Sequence, residues 1–186
     1  QNIKIRIKFH DFMSRDINGF KIVTDPWLVR PCFNNGWWHL YPPKNDAFNI
    51  LKEADLIYIS HNHPDHLHPE TLQYIKNKKI ITPNFKSKSS EKMLSAIGCK
   101  KIEALNFQDV FEIKSKNIFF TIFKSGDFRD DSGLYIKSGK FSILLAVDSS
   151  LLNGGNLPKN TTVVMSSFAT GDTGFPLCFL DYSENE

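Results

Sequence analysis

An apolar run that ends directly in a cluster of histidines is the feature that most restricts the fold of this chain. Residues 56–60, with the sequence Leu-Ile-Tyr-Ile-Ser, are predicted to form a buried strand, and residues 61–68 follow at once with four histidines. Side chains alternate along an extended strand, so His61 and His63 point to the same side. We therefore expect this strand to end at an open edge of a sheet.

The segments around this strand alternate between strands and helices. A period of two predicts a strand over residues 3–9, and the turn signal Asn18-Gly19 predicts a hairpin that returns over residues 20–23. Downstream of the histidines, proline at a first helical turn predicts a helix over residues 69–77. The other predicted elements of this half are an amphipathic segment over 47–53, a strand over 79–82 and a helix over 90–97.

The second half of the chain is rich in short strands and has no helical pattern between them. These strands are predicted over residues 110–113, 118–123, 134–137, 141–147 and 161–165. A βα half followed by a β-rich half predicts a layered α/β (α+β) sandwich: two mixed sheets face to face, helices outside, and the site at one edge between the sheets. With 186 residues and no linker, we expect a single domain over residues 1–186.

Composition excludes several classes of protein. Hydrophobic residues make up 41% of the chain, which is enough to exclude bulk disorder, and every apolar run is shorter than the roughly 20 residues of a membrane span. A net charge of +3 from interspersed charges, with no RNA-binding signature, favours a chain without a nucleic-acid partner. Three scattered cysteines and the lack of a leader pattern predict reduced thiols and a cytoplasmic location.

The histidine cluster itself predicts a metal site. It mixes imidazole and carboxylate donors: His61, His63, Asp65 and His66. Zinc, manganese and iron favour this mixture, and one or two nearby divalent ions would suit it and could generate a hydroxide or activate an oxidant. His68 is expected to be a neighbour or a helix cap instead of a ligand, and His39 stands apart from the cluster.

The motif His61-x-His63-x-Asp65-His66 after an apolar strand resembles the signature of the metallo-β-lactamase superfamily. The block Thr24-Asp25-Pro26-Trp27-Leu28 precedes it, and Asp148 follows it, in the order that this superfamily uses. Further blocks resemble the metal-binding domain of the CMP-N-acetylneuraminate hydroxylase family: Gly36-Trp37-Trp38, residues 54–61, Asn153-Gly154-Gly155 and Gly174-Phe175-Pro176. The resemblance implies a four-layer αββα sandwich and a metal-dependent enzyme.

Residue by residue, the resemblance implies a complete set of roles around the metal. His61 and His63 would hold one ion, and Asp65 and His66 would hold the second and act as the catalytic residues. Asp148 would bridge the two ions, a role that suits a carboxylate at the end of the predicted strand 141–147. Asp25, which also follows a strand, is expected to orient a ligand histidine without touching the metal.

The sequence departs from the superfamily at two histidine positions. No histidine occurs after His68. Asp127 aligns best with the third histidine and would replace imidazole by a carboxylate, with Asp130 and Asp131 as substitutes on the same turn. The fifth histidine is expected beyond residue 186, as if the chain were truncated there.

Three functions are open at this point. The first is a hydroxylase-like enzyme domain for a small sugar-nucleotide-like or phosphoester substrate, whose cleft would be lined by Trp27, Trp37 and Trp38; packing of these tryptophans into a core is the equal alternative. The second is a hydrolase that uses metal-bound hydroxide on a phosphodiester, amide or lactone. The third is a non-catalytic metal-binding subunit. Iron–sulfur spacings do not occur in these 186 residues, so oxidative chemistry would need a separate electron-transfer protein.

Overall fold

The computed structural model of the chain describes residues 3–7, 13–39, 41–126, 128–149 and 151–166. In these ranges a six-stranded mixed sheet comes first along the chain, with the strand order β1-β2-β3-β4-β5-β6. Its strands are β1 (Ile3–Ile7), β2 (Met13–Ile17), β3 (Phe20–Thr24), β4 (Leu56–Tyr58), β5 (Lys79–Pro83) and β6 (Lys101–Leu105). The first three strands are antiparallel, whereas β3 to β6 run parallel.

A second sheet of five strands is formed by the downstream half, in the order β11-β10-β9-β8-β7. Its strands are β7 (Val110–Ile113), β8 (Ile118–Lys124), β9 (Ser132–Ser138), β10 (Phe141–Val147) and β11 (Val163–Ser166). Neighbouring strands are antiparallel from β7 to β10, and β11 pairs parallel to β10.

Apolar side chains on both faces of the first sheet explain the layering. Leu56 and Tyr58 of β4 face the second sheet, where they join Phe120 and Leu145 in a buried cluster. Ile57 points the other way. A strand that is buried on both faces reads as a continuous apolar run, which is why residues 56–60 do not alternate in polarity.

Three helices cover the outer face of the first sheet. They are α1 (Ala47–Glu53), α2 (Pro69–Leu72), which continues as a 3-10 turn over Gln73–Ile75, and α3 (Ser89–Ile97). Leu51, Leu72 and Leu94 bury one side of each helix in the same cluster. The layered α/β fold class is thereby confirmed, and three of the four expected layers lie in the described ranges; no α-helix of the described residues covers the outer face of the second sheet.

Two strands of the first sheet were not predicted. The Asn18-Gly19 turn, with φ of 54° and 78°, joins β2 to β3 and not residues 3–9 to residues 20–23. The cause is Arg15, which is 1% exposed and occupies an inward position of β2, so that this strand does not alternate as an apolar strand would. Strand β6 lies at the edge of the sheet, and its half-buried pattern gave no signal.

Candidate metal centre

The carboxyl ends of three strands meet at one edge of the sandwich. Asp25 follows β3, Ser60 and His61 follow β4, and Asp148 follows β10 of the second sheet. Because β3 and β4 are parallel neighbours, their ends open to the same side. The site is therefore built between the two sheets, where the sequence predicted it.

The predicted ligand atoms form two close pairs. His61 Nε2 lies 2.8 Å from His63 Nδ1, and His66 Nε2 lies 3.3 Å from Asp65 Oδ2. His61, Asp65 and His66 are buried, whereas His63 is exposed. Each pair combines side chains from one short loop, because the chain turns between His63 and Asp65.

Asp148 lies between the two pairs. Its Oδ2 is 3.1 Å from His66 Nε2 and 3.8 Å from His61 Nε2. One ligand atom each of His61, His66 and Asp148 lies within 4.8 Å of the other two, which is close enough to share an ion. Three of the predicted ligand residues thus lie within reach of one ion, and His63 and Asp65 each lie beside one of the two histidines in this group. The sixth predicted ligand, Asp127, lies outside the described residues.

Asp25 fixes which ring nitrogen of each histidine carries a proton. Its Oδ1 accepts the backbone N–H of Ser60 at 2.8 Å, and its Oδ2 accepts the Ser60 hydroxyl at 2.8 Å and lies 3.2 Å from His66 Nδ1. A carboxylate only accepts, so His66 donates from Nδ1 and keeps Nε2 for a ligand. Ser60 Oγ donates a hydrogen bond to Asp25 and accepts one from His61 Nδ1 at 2.9 Å, so His61 keeps its lone pair on Nε2, 2.8 Å from His63 Nδ1.

Two positions at this edge adopt backbone conformations that side chains rarely take. Asp25 has φ of 41°, and Val147, directly before Asp148, has φ of 52°. Positive φ is costly for a β-branched residue. The pairing of β10 with β11 shifts register between Leu145 and Val147. This local distortion turns the chain so that Asp148 faces the histidines.

Burial and carboxylates set the charges of the two buried histidines in opposite directions. Burial, with the charges of two neighbouring histidines, lowers the pKa of His61 to about 3, so this ring is neutral near pH 7. Burial also opposes charge on His66, but hydrogen bonds to Asp148, Asp25 and Asp65 outweigh it and raise the pKa of His66 well above its usual value. A metal ion must therefore displace a proton from His66 but not from His61.

The donor set fits a divalent cation. Asp65 Oδ1 is buried and accepts no hydrogen bond from the part of the chain that the structure describes. A buried carboxylate oxygen without a partner is costly unless a cation completes it. Imidazole nitrogens and carboxylate oxygens in this proportion suit zinc, iron or manganese.

Arg15 and Ser60, which the sequence analysis did not assign to the site, contribute to it, and so does Asp131, which it named only as a substitute ligand. Arg15 is wholly buried beside this edge; burial lowers the pKa of Arg15 to about 9, while Asp25 opposes the shift, so its charge persists near pH 7. Ser60 links Asp25 to His61, and only its place directly before the motif could have indicated it. Asp131 Oδ1 lies 3.5 Å from His61 Nδ1, and burial raises the pKa of Asp131 to about 7.

Neither of the two described carboxylates in the turn after β8 lies where the third ligand histidine is expected. Asp131 faces His61 Nδ1, the opposite edge of the ring from Nε2, so it does not substitute for the missing ligand at that ion. Asp130 accepts a hydrogen bond from the Ser87 hydroxyl at the surface.

The aromatic loop presents its three tryptophans in two ways. Trp27 is 6% exposed, and its ring packs 4.1 Å from the His39 ring and 6.1 Å from the His68 ring. Trp37 and Trp38 are exposed, at 38% and 68%. Trp27 therefore packs within the base of the loop, whereas the other two rings face solvent.

His68 is the helix cap that the sequence predicted. Its Nδ1 accepts the backbone N–H of Thr71 at 3.3 Å at the start of α2. It also lies 3.1 Å from the Thr71 hydroxyl, which accepts the backbone N–H of Leu28. His68 therefore ties the aromatic loop to α2.

Comparison with known families agrees with the geometry of the site. The family described as the beta-lactamase superfamily domain matches residues 10–129, which include Asp25 and the whole histidine motif. The chain belongs to the metallo-β-lactamase superfamily. Within this superfamily fold, the cluster of buried His61 and His66 with half-buried Asp148 supports binding of a divalent metal.

Named relatives of this metallo-β-lactamase-fold chain are hydroxylases. It is 32% identical over 183 residues to cytidine monophosphate-N-acetylneuraminic acid hydroxylase of Mus musculus, and 36% identical over 165 residues to the Danio rerio protein of that name. The matches cover 95% and 86% of this chain but 32% and 28% of those proteins. The chain thus spans about a third of the length of these relatives.

Solved structures share the fold at lower identity. The diiron β-hydroxylase CmlA from Streptomyces venezuelae superposes with a TM-score of 0.62 at 22% identity, over 80% of this chain and 30% of that chain. An isothiocyanate hydrolase from Delia radicum gut bacteria gives 0.62 at 16% identity, over 78% and 62%. These relatives are all enzymes, in agreement with the sequence prediction. Among the described residues, no helix combines the length and apolar character needed to cross a membrane.

Proposed function

We propose that this chain is a metal-dependent enzyme domain, related to the CMP-N-acetylneuraminate hydroxylases, that acts on a sugar-nucleotide-like or phosphoester substrate. The observation that carries the proposal is the convergence of His61 Nε2, His66 Nε2 and Asp148 Oδ2 at one edge of the sandwich. Identity of 32–36% to hydroxylases over most of the chain supports the substrate class.

The proposed ligand roles follow the two close pairs of donor atoms. His61 Nε2 and His63 Nδ1 would hold one ion, and Asp65 Oδ2 and His66 Nε2 would hold a second. Asp148 Oδ2 lies nearest to His66 Nε2 but within 3.8 Å of His61 Nε2, which suits a bridging carboxylate. Asp127 is proposed as a further ligand of the first ion on the resemblance alone.

The protein residues would prepare this site before the substrate arrives. A divalent ion bound there supplies Lewis acidity and an activated water or oxidant. Asp25 and Ser60 hold the two histidine rings so that their Nε2 atoms face the site. Burial of His61, Asp65 and His66 excludes bulk water from one side, so the substrate would enter over the exposed His63 and the half-buried Asp148.

The aromatic loop supplies a surface for a planar group beside this entrance. The Phe33 ring lies 6.5 Å from the His63 ring and 4.8 Å from the Trp37 ring. Trp37 and Trp38 are exposed next to it, and exposed indoles stack on nucleobases. We propose that they bind the base of the substrate and that Trp27 supports them from below.

The remaining parts of the proposal concern partners and location. Hydroxylation would need electrons from a separate electron-transfer protein, and neither a membrane nor a nucleic acid is a proposed partner. Cys32 and Cys99 are buried free thiols, which supports a reducing compartment such as the cytoplasm.

The test combines metal analysis with two assays on one preparation. The purified protein is analysed for zinc, iron and manganese, and is then incubated with a CMP-linked sialic acid, oxygen and an electron donor. Mass spectrometry of the sugar nucleotide distinguishes a gain of one oxygen from cleavage. A chromogenic phosphodiester tests hydrolysis in parallel, and Asp148→Asn serves as the matched variant with a neutral side chain of the same size.

The outcomes separate the candidate functions. Bound iron with oxygen-dependent gain of one oxygen, lost in Asp148→Asn, supports the proposal. Bound zinc with cleavage that chelators abolish and added metal restores assigns the chain to the hydrolases instead. If metal-loaded protein catalyses neither reaction, the remaining candidate function is a non-catalytic metal-binding subunit.

A further inference from the structure

His61 makes two contacts through Nδ1, the ring nitrogen that faces away from the proposed ion. Nδ1 lies 2.9 Å from Ser60 Oγ and 3.5 Å from Asp131 Oδ1. The Ser60 hydroxyl donates its hydrogen bond to Asp25, so Ser60 Oγ and Asp131 Oδ1 both act as acceptors toward His61 Nδ1. A proton on Nδ1 hydrogen-bonds to Ser60 Oγ and is attracted by the Asp131 carboxylate, and Nε2 is left with its lone pair.

Asp131 is held by the second sheet and not by the histidine loop. It is 3% exposed and directly precedes β9. Its Oδ1 accepts the backbone N–H of Ser132 at 2.6 Å, and its backbone carbonyl accepts the N–H of Ser125 at 2.9 Å. These hydrogen bonds fix the position of the Asp131 carboxylate independently of His61.

The residue after Asp131 reinforces the same contact between the sheets. Ser132 donates its hydroxyl to the backbone carbonyl of Ser60 at 2.7 Å and lies 2.7 Å from the Tyr58 hydroxyl. Asp131 and Ser132 of the second sheet thus contact His61 and Ser60 of the first. The arrangement leaves His61 little freedom to rotate.

We propose that Asp131 is a positioning residue for His61: together with Ser60, it keeps the ring proton on Nδ1 and directs Nε2 toward the ion without touching the ion. This inference rests on the proposed metal site and adds to it a carboxylate from the opposite sheet. A carboxylate on the other nitrogen of a ligand histidine fixes the tautomer and makes the ligand more basic, and its loss lowers metal affinity by about 10- to 100-fold.

The first experiment needs no metal. Nitrogen-15 NMR of the imidazoles distinguishes the Nδ1–H from the Nε2–H tautomer, and we expect His61 to carry its proton on Nδ1 in the natural protein. In Asp131→Ala and in Asp131→Leu, which keeps most of the buried volume, we expect a mixture of tautomers.

The second experiment measures affinity for Co²⁺ through its visible absorption. We expect Asp131→Ala and Asp131→Leu to lower the affinity for the ion bound by His61 by about 10- to 100-fold. Asp131→Asn should stay close to the natural protein, because the Ser132 N–H requires the amide oxygen, not the NH2 group, at the Oδ1 position. The Asp130 carboxylate contacts Ser87 instead of His61, so Asp130→Ala is the matched control and should bind Co²⁺ normally.

A purely structural role for Asp131 gives a different result. Ser132→Ala breaks the neighbouring contact between the sheets, so it should lower the melting temperature and leave the His61 tautomer unchanged. The proposal is overturned if Asp131→Ala and Asp131→Leu retain the Nδ1–H tautomer and bind Co²⁺ normally, or if Asp131→Asn loses as much affinity as Asp131→Ala. If the natural protein binds no Co²⁺, the proposed function fails, whereas the tautomer measurement still decides the role of Asp131.

Discussion

Asp25 Oδ2 lies 3.2 Å from His66 Nδ1 and, through the Ser60 hydroxyl, also controls the orientation of His61. One buried carboxylate therefore orients a histidine in each of the two donor pairs. Asp25 directly follows β3 and has a φ of 41°.

Replacement of Asp25 by asparagine is expected to lower the binding affinity for both proposed ions. The Ser60 N–H requires the amide oxygen at the Oδ1 position, which puts an NH2 group where Oδ2 accepted from His66 and from the Ser60 hydroxyl. His66 then loses its acceptor, and the Ser60 hydroxyl, which can no longer donate to Asp25, no longer holds the His61 proton on Nδ1. Affinity is expected to fall by about 10- to 100-fold at each position. Competition titration with a chromophoric chelator measures this. Asp55→Asn, at an exposed carboxylate that accepts from the Lys21 N–H, should have no effect.

The two donor pairs are expected to differ in occupancy. His61→Ala should remove most of the bound metal, whereas His66→Ala should remove less, because a proton competes with the ion at His66 but not at His61. Equilibrium dialysis followed by elemental analysis gives the bound equivalents. His39→Gln, outside the donor pairs, is the control. Two equal and tight equivalents, or equal losses in both variants, would contradict this asymmetry.

Metal binding at His66 is expected to depend on pH. Because its pKa is raised well above 6.5, His66 keeps its second proton well above that pH, and affinity should fall about tenfold for each pH unit below the raised pKa. By the same linkage, the contribution of charged His66 to metal-free stability is complete below pH 6.5 and is lost as the pH rises through the raised pKa. Calorimetric titration in buffers of different ionisation enthalpy counts the protons released, and His66→Gln should release one fewer.

The positive φ of Val147 is expected to reduce the cost of a glycine there. Val147 and Val163 are both partly buried against the cluster between the sheets. Val147→Gly loses that packing but relieves strain worth about 1–3 kcal/mol, so it should destabilise less than Val163→Gly by about that amount. Urea unfolding at equilibrium compares the two variants. Equal losses would mean that the backbone at Val147 stores no strain.

The sequence predicted those parts of the fold where burial follows a simple period. The run at residues 56–60 emerged because it is continuously apolar, and the helix α1 and the strands of the second sheet emerged from apolar runs or from apolar residues that repeat at the spacing of the element. Strand β2 did not, because the buried charge of Arg15 interrupts its pattern. The parallel pairing of β11 with β10 depends on the path of the chain that connects the two strands, which no local sequence pattern encodes.

The site was predictable where the ligands are consecutive and less so where the contacts cross between sheets. The spacing of His61, His63, Asp65 and His66 identified one loop from the residues alone. Contacts such as Asp131 with His61 join residues seventy positions apart, and they exist only after the two sheets pack. The exposure of Trp37 and the burial of Trp27 likewise depend on how one loop folds over α2.

The hydrogen bonds that hold these side chains connect protein groups to one another, from Tyr58 through Ser132 to Ser60, and from Asp25 to His66. We therefore expect metal loading to be separable from folding, unlike the behaviour of zinc fingers, which fold only around their ion. A finished polypeptide would take its cation from whatever supply surrounds it, subject to the general order of affinities among divalent metals. The element recovered with purified protein then reports the growth medium as much as the biology, and a cell must control the choice through availability.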